Sequence, residues 1–307
     1  MSYKVHRTKS FCGKRILTLW MVGVLVCASG CSQDRAISTQ ALNDGLNELR
    51  AGRTSDAVAK LEEAAASDMT YADPSYYLGQ IYHQKYQQLD DAARNYAEAI
   101  KRAPENAQFY YRYGTVLGEQ GKHSEAIAAF EDALKRHEDF PKAWFRKGLS
   151  ELALQNYTAG VASMTKSIQL DARMVIGEED PGGAAYHALG DLYNRYGFYD
   201  KALQVYDNGI TNNPSSAQLY RGRGVAELKL KRFSESEQSF RKALELEPKS
   251  AKAFFNLALS QHAQQNYKGA LDSLQRFIIT ADPIEDNVRI MAASALKGQI
   301  EDEMGGE

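Results

Sequence analysis

The chain has 307 residues, of which 44% are apolar and 25% charged, an ordinary composition for a folded protein. Five of its 37 basic side chains and none of its 39 acidic ones lie in residues 1–30, so the remainder carries a net charge of −7. This acidic balance argues against a nucleic-acid partner, because such proteins need a basic surface to neutralise phosphates.

Residues 1–30 have the layout of an export signal. Basic residues are spread from Lys4 to Arg15, and an apolar run of 12 residues follows from Ile16 to Cys27. A helix needs roughly 20 apolar residues to cross a bilayer, so this run predicts the core of a signal peptide that is removed.

The segment Ala28-Ser29-Gly30-Cys31 resembles the lipobox of bacterial lipoproteins. The resemblance implies cleavage between Gly30 and Cys31 and acylation of Cys31, for example with palmitate. Ser32 stands where an aspartate would retain a lipoprotein at the inner membrane, so the resemblance implies an outer-membrane lipoprotein facing the periplasm. An ordinary secretory signal cut nearby and an uncleaved anchor are the alternatives.

The cysteines agree with lipidation. Cys12 and Cys27 lie in the segment expected to be removed, which leaves Cys31 at the tip of the mature chain. A disulfide framework or a cysteine metal site is therefore excluded from the mature chain. Residues 31–37 are then a short lipidated tether, and several acyl chains would bind it firmly to a membrane.

A pattern of small and bulky residues follows, with a period of about 34 residues. In its clearest unit, Gly114 and Ala126 let two amphipathic helices approach closely across the turn at 120–122, and Phe130 fills the space beside them. The small residue recurs as Gly45, Gly79, Gly114, Gly148, Gly190, Gly224 and Ala258. The bulky residue recurs as Leu61, Tyr96, Phe130, Met164, Tyr206, Phe240 and Leu274.

This pattern resembles the tetratricopeptide repeat (TPR) family, over residues 38–284. The resemblance implies an all-α protein, an α-solenoid of about seven helix hairpins. Residues 285–307 are predicted to be a capping helix and tail, with an apolar stripe at Ile284, Val288, Met291 and Ala295. An insertion at 175–183 is interpreted as a surface loop, with a hinge or a partner-binding loop as alternatives.

Catalytic patterns are weak. Ser163 and Lys166 match the bare S-x-x-K spacing, but they fall inside the second helix of a repeat and have no companion motif. The histidines are dispersed and form no metal-binding pair. We therefore expect no enzymatic activity, no cofactor, no metal site and no small-molecule substrate.

In the TPR family, partners bind the concave face formed by the first helix of each repeat. Carrying the family's groove positions onto this chain predicts a partner-binding groove that suits an extended peptide or an amphipathic helix. Its predicted residues are Tyr76, Gln80, His83, Tyr111, Thr115, Phe145, Leu149, Leu152, His187, Asp191, Asn194, Arg221 and Phe255. The ninth position of each repeat is never asparagine, so the carboxylate clamp of chaperone-binding members is not expected.

The resemblances together imply a lipid-anchored scaffold that binds other envelope proteins. One reading is similar to the pilotins, the type IV pilus assembly lipoproteins that help a secretin assemble in the outer membrane. The alternative is an adaptor that recruits peptidoglycan hydrolases or other envelope enzymes.

Overall fold

A computed structural model describes the backbone of residues 15–175 and 183–305, and the side chains from Gln33 onward within those ranges. The described residues form α-helices and no strands, which confirms the all-α class. The first 14 residues of the predicted signal peptide, the side chain of Cys31 and residues 176–182 of the predicted insertion lie outside this description. None of the described helices combines the length and the apolar character that a bilayer span requires.

The helices are short and of similar length, apart from the first and the last. In chain order they are α1 (Arg15–Arg50), α2 (Thr54–Ser67), α3 (Asp73–Gln84), α4 (Leu89–Arg102), α5 (Ala107–Glu119), α6 (His123–Arg136), α7 (Pro141–Ala153), α8 (Tyr157–Leu170), α9 (Ala184–Arg195), α10 (Tyr199–Asn212), α11 (Ala217–Lys229), α12 (Phe233–Leu246), α13 (Ala251–Ala263), α14 (Tyr267–Thr280) and α15 (Asn287–Gly305).

These helices divide into two compact units, with the boundary between His137 and Glu138. Unit 1 contains the hairpins α1/α2, α3/α4 and α5/α6, and unit 2 contains α7/α8, α9/α10, α11/α12 and α13/α14, followed by α15. Within each unit the second helix of one hairpin packs on the first helix of the next, as in a solenoid. The predicted insertion lies inside unit 2 and does not coincide with the boundary.

Helix α1 is longer than predicted. It continues without a break through residues 31–37, which were expected to be a tether, into the first hairpin. Residues 32–44 contain neither glycine nor proline, so nothing in the local sequence ends the helix there. The tether is therefore helical in the structure.

The predicted contact between small and bulky residues is confirmed. A Cβ atom added to Gly114 would lie 2.9 Å from the ring of Phe130 and 3.2 Å from the carbonyl oxygen of Ala126, so only glycine allows this approach. The same close contact joins Gly45 to Leu61, Gly79 to Tyr96, Gly148 to Met164, Gly190 to Tyr206 and Gly224 to Phe240. The period in the sequence is thus the period of helix–helix contact.

Each of the seven described hairpins turns through one residue in the left-handed region. Gly121 takes this role in the third hairpin, with a φ of 76°. The full set is Gly52, Gln87, Gly121, Gln155, Gly197, Lys231 and Gln265. Four of these are not glycine, so the packing of the two helices imposes the turn even where the side chain disfavours it.

Two fully buried tyrosines at equivalent positions differ in their hydrogen bonds, and this difference predicts opposite effects of the same substitution. The Tyr96 hydroxyl has no partner among the described residues, whereas the Tyr206 hydroxyl accepts from Nδ2 of Asn194 at 3.3 Å. Removing an unpaired buried hydroxyl is favourable, so Tyr96→Phe should raise the free energy of unfolding by about 1 kcal/mol. Tyr206→Phe should lower it by about the same amount.

Urea unfolding followed by circular dichroism measures both variants. Equal destabilisation by Tyr96→Phe and Tyr206→Phe would show that the Tyr96 hydroxyl has a partner after all.

The face that α15 presents to the stack differs from the prediction. Ala293 and Ile300 are buried against α13 and α14, with Ile290 and Leu296 beside them. The predicted stripe points away instead, with Ile284 85%, Val288 74% and Met291 74% exposed, and Ala295 exposed as well. Apolar residues occupy two faces of this helix, so periodicity alone chose the wrong one.

Candidate functional site: a groove along the first helices of unit 2

Four helices of unit 2 place their polar and aromatic side chains on one surface. On α9, His187, Asp191 and Asn194 follow one another at spacings of four and three, so they share one face of the helix. Gly183 precedes α9 in a left-handed conformation, with a φ of 86°, and a Cβ atom on it would lie only 2.9 Å from the side chain of Leu219. Glycine at this position therefore allows α9 to begin at Ala184.

The next two first helices continue this surface. On α11, Arg221 and Val225 lie one turn apart. On α13, Lys252 and Asn256 lie one turn apart, and Phe255 directly precedes Asn256 in the sequence. Arg289 reaches the same surface from α15.

Two adjoining cavities run along this surface. The basic cleft has a volume of about 320 Å³ and lies between α9, α11, α13 and α15. Its lining is His187, Asp191, Asn194, Arg221, Gly222, Val225, Lys252, Phe255, Asn256 and Arg289. The apolar cleft, of about 540 Å³, lies between α7, the start of α8 and α9, and its lining is Leu149, Leu152, Ala153, Gln155, Tyr157, His187, Ala188, Asp191, Leu192 and Arg195. His187 and Asp191 line both cavities, which therefore form one groove.

The basic cleft carries more positive than negative charge. Arg221 donates from Nη1 to Oε2 of Glu247 at 3.4 Å and to Oγ of Ser250 at 3.5 Å, both long contacts. Arg289 donates from Nη1 to Oδ1 of the buried Asp286 at 2.7 Å.

Lys252 is exposed at the rim of the basic cleft. Asp191 is the one carboxylate in the described lining, and Arg195 lies 3.8 Å from it. The side chains that line the cleft thus include three cations and one carboxylate, while Glu247 and Asp286, outside the lining, pair with Arg221 and Arg289.

Asn194 connects the floor of the groove to the core. Its Nδ2 donates to the Tyr206 hydroxyl at 3.3 Å and to the carbonyl oxygen of Gly222 at 3.1 Å. Its Oδ1 is buried and has no partner among the described residues. Asn194 is therefore fixed in orientation, with its acceptor oxygen buried beneath the groove.

The environment of His187 favours the neutral form of its imidazole in the folded chain. Burial lowers its pKa below the usual value, Asp191 opposes this shift, and the positive charge of Arg221 reinforces it. The imidazole between the two clefts is thus a neutral hydrogen-bonding group near pH 7.

The lowered pKa of His187 predicts a loss of stability in acid. The unfolded chain binds a proton on this histidine as the pH falls through about 6.5, while the folded chain does so only at lower pH. The free energy of unfolding should therefore fall between pH 7.5 and the folded pKa, and His187→Gln should reduce this fall. Urea unfolding at about pH 7.5 and 5.5 compares the two proteins. A wild-type chain that gains stability in acid relative to His187→Gln would contradict the assignment.

Seven of the residues predicted for the groove come together in unit 2. They are Leu149, Leu152, His187, Asp191, Asn194, Arg221 and Phe255. Phe145 does not join them, because its ring is buried in the core with Met164 and Leu189. Phe145, predicted as a groove residue, lines neither cleft, because its aromatic ring fills the space between two hairpins.

The remaining predicted residues lie in unit 1. Tyr111 and Thr115, also predicted as groove residues, are buried in the free chain, and Thr115 donates from Oγ1 to the Tyr111 carbonyl oxygen. The other three are half-buried. Gln80 donates from Nε2 to the Tyr76 hydroxyl at 2.8 Å, and Nε2 of His83 lies 2.7 Å from Oε2 of Glu119.

Several lining residues lie outside the predicted groove set, among them Gly222, Asn256 and Arg289 in the basic cleft and Gln155, Tyr157 and Arg195 in the apolar cleft. Asn256 occupies a position that the family's groove rule does not include, and Arg289 lies after the last repeat, where the period assigns no register. The described residues contain no group of three side chains that could hold a metal ion.

Comparison with protein families gives one consistent match. Models described as "Tetratricopeptide repeat" match residues 114–174, 187–251 and 232–283, and a second model of the repeat matches residues 95–128. Together these matches span more than half of the chain.

Several curated proteins are similar to this chain over part of their length, including the following two. Sperm-associated antigen 1 of Rattus norvegicus is 29% identical over 138 residues, which cover 45% of this chain and 14% of that protein. The peroxisomal targeting signal receptor of Saccharomyces cerevisiae is 21% identical over 74% of this chain and 44% of the receptor. The chain thus spans less than half the length of these relatives.

Many solved structures share the fold, including the following three. A tetratricopeptide repeat protein from Parabacteroides merdae has a TM-score of 0.60 and 16% identity, over 87% of this chain and 99% of its own. The pilF protein of Pseudomonas aeruginosa has a TM-score of 0.57 and 19% identity, over 72% and 96%. YrrB, described as having an unusual peptide-binding site, has a TM-score of 0.51 and 19% identity, over 66% and 100%.

Proposed function

Because the chain belongs to the tetratricopeptide repeat family, we propose that it is a protein-interaction scaffold that binds a segment of a partner protein in the groove of unit 2. The observation that carries this proposal is the convergence of side chains from successive first helices on two adjoining clefts. A groove of this kind accepts an extended peptide, with apolar pockets for side chains and polar groups that fix its register. The similarity to YrrB, whose description names a peptide-binding site, supports the same reading.

We further propose that the scaffold is held at the outer membrane by acyl chains on Cys31 and faces the periplasm. The lipobox-like segment supports this anchor, and the first hairpin close behind it would place the start of the repeat array near the bilayer. In this position the protein would assemble an envelope complex in the manner of a pilotin, or recruit an envelope enzyme such as a peptidoglycan hydrolase.

The anchor predicts a complete change of location for one substitution. Cys31→Ser removes the thiol that is acylated, so the protein should move from the membrane fraction to the soluble fraction and lose all label from radioactive palmitate. Ser29→Ala, which keeps the cysteine, serves as the control. A Cys31→Ser protein that stays in the membrane fraction would show that the anchor is something other than acylated Cys31.

The groove is tested by co-purification from the envelope with quantitative mass spectrometry. The double variant Asp191→Lys/Lys252→Glu exchanges two exposed charges in the groove and leaves the net charge unchanged. The control Asp200→Lys/Lys268→Glu makes the same exchange on the exposed faces of α10 and α14.

The groove variant should lose at least one envelope protein by about tenfold, and the control should keep it. A secretin or pilus protein among those lost favours assembly, and a cell-wall enzyme favours the adaptor. An unchanged set of co-purified proteins would overturn the groove as the binding site.

A further inference from the structure

We propose that the groove of unit 2 selects a partner segment in which acidic side chains stand next to apolar ones, with the acidic part in the basic cleft and the apolar part in the apolar cleft. This inference rests on the proposed function and adds the chemistry of the bound segment and its direction along the groove.

The acidic preference follows from Arg221, Lys252 and Arg289, which reach one cavity from three different helices. A guanidinium group has five donors in a planar fork that matches a carboxylate, and a lysine adds a mobile point charge. Charges of one sign that converge on a small cavity favour a ligand of the opposite sign.

The contacts that Arg221 makes in the free chain leave its guanidinium group available to a carboxylate of the partner. Its nearest acidic group, Glu247, lies 3.4 Å away and is 48% exposed. An exposed pair of this length contributes little, so a carboxylate of the partner can replace Glu247 at small cost.

Arg289 is held differently. Asp286 is only 9% exposed and accepts from Nη1 of Arg289 at 2.7 Å, which fixes the guanidinium beside the cleft while its other nitrogen atoms keep donors to offer. A donor that is oriented before binding loses little entropy when a carboxylate arrives.

Asn256 supplies a contact that does not depend on charge. Its amide lines the cleft and can pair with a main chain whatever its sequence. Asn194 fixes the floor of the groove through the bonds from its Nδ2 to Tyr206 and Gly222, and its own Oδ1 is buried.

The direction follows from the apolar cleft and from Asp191. Leu149, Leu152 and Tyr157 give the apolar cleft its hydrophobic part, and Arg195, the one cation in its lining, lies 3.8 Å from Asp191. Asp191 stands where the two clefts meet, so it repels a carboxylate placed at that point. The acidic side chains are thus directed toward α11, α13 and α15, and an apolar side chain toward α7.

Two degenerate peptide pools test this proposal on the immobilised full chain. In the first pool, each peptide has two neighbouring positions restricted to Asp or Glu and two adjacent positions restricted to Leu or Ile. In the second pool, Asn and Gln replace Asp and Glu. Retained peptides are quantified by mass spectrometry at low and at high sodium chloride concentration.

The acidic pool should be retained about tenfold more than the amide pool at low salt, and this preference should shrink at high salt. Lys252→Gln and Arg221→Gln, each checked for folding by circular dichroism, should reduce the preference severalfold. Lys268→Gln, which removes an exposed charge from α14, should leave it unchanged.

Two other results are informative. Both pools could be retained equally, and the double variant Asp191→Lys/Lys252→Glu could abolish this retention. That result would overturn the acidic preference but would still support the groove as a peptide-binding site. Retention of neither pool, or retention that no groove substitution affects, would overturn this inference and the proposed function together.

Discussion

Replacing Gly222 by alanine is expected to lower the free energy of unfolding of unit 2 by about 3 kcal/mol. A Cβ at this position would lie 2.3 Å from Cζ of Tyr206 and 2.5 Å from its hydroxyl oxygen. Tyr206 is fully buried, so its ring cannot move aside without displacing other core residues. The added methyl group would also disturb the hydrogen bond from Asn194 to the Gly222 carbonyl oxygen, and with it the floor of the groove.

The same substitution elsewhere in unit 2 provides a control with the opposite sign. Gly298 is helical in α15, and an added Cβ would meet nothing within 4 Å. Gly298→Ala should therefore stabilise the protein by about 0.5–1 kcal/mol, through the higher helix propensity of alanine. The urea midpoints of the two variants should move in opposite directions. A Gly222→Ala protein as stable as the wild type would show that Tyr206 has room to shift.

Phe130→Ala is expected to destabilise unit 1 by about 3–5 kcal/mol, the cost of removing a buried aromatic ring. Phe130 is 1% exposed and fills the space left by Gly114, and its ring lies 6.2 Å from that of Tyr111. The backbone at Gly114 and Ala126 cannot close the resulting cavity without moving both helices of the hairpin. Hydrogen exchange should show the largest loss of protection in α5 and α6.

Phe198→Ala is the matched control for Phe130→Ala. Phe198 is 54% exposed and stands at the start of α10, so its truncation should cost less than about 1 kcal/mol. Similar effects of the two substitutions would contradict the claim that the glycine–aromatic contact holds each hairpin together.

The hairpin repeat could be predicted from sequence because one physical contact generates it. Gly114, Phe130 and their counterparts must keep their spacing for two helices to touch, so the pattern persists even where single units depart from it. The turn conformations were harder to predict from the sequence, since Gln155 and Lys231 adopt left-handed conformations that their residue types do not indicate.

The ends of the repeat array were predicted less well, for a related reason. No glycine or proline marks the start of the first hairpin, so α1 extends further back than the period suggests. At the other end, α15 has apolar residues on two faces, and only its contacts with α13 and α14 decide that Ala293 and Ile300 are buried. Periodicity predicts the buried face of a helix where hairpins repeat on both sides of it, and this prediction fails at the ends of the array, where they do not.

The candidate groove shows the same limit. The family's positions identified residues on the helices that line the clefts, among them Asp191, Asn194 and Arg221. Whether a side chain at such a position is open or buried depends on its size and on the neighbouring hairpin, which is why Phe145 became part of the core. Arg289 lies outside every repeat, so only the folded chain places it in the basic cleft.

The most direct test of the groove is photo-crosslinking in living cells. A benzoylphenylalanine residue would replace Asp191 or Lys252 in the groove of unit 2, or the exposed Gln204 or Gln238 on second helices as controls. The expected result is that the two groove positions capture the same envelope protein and that the two control positions do not. Capture of that protein from Gln204 and Gln238, with none from Asp191 and Lys252, would contradict it.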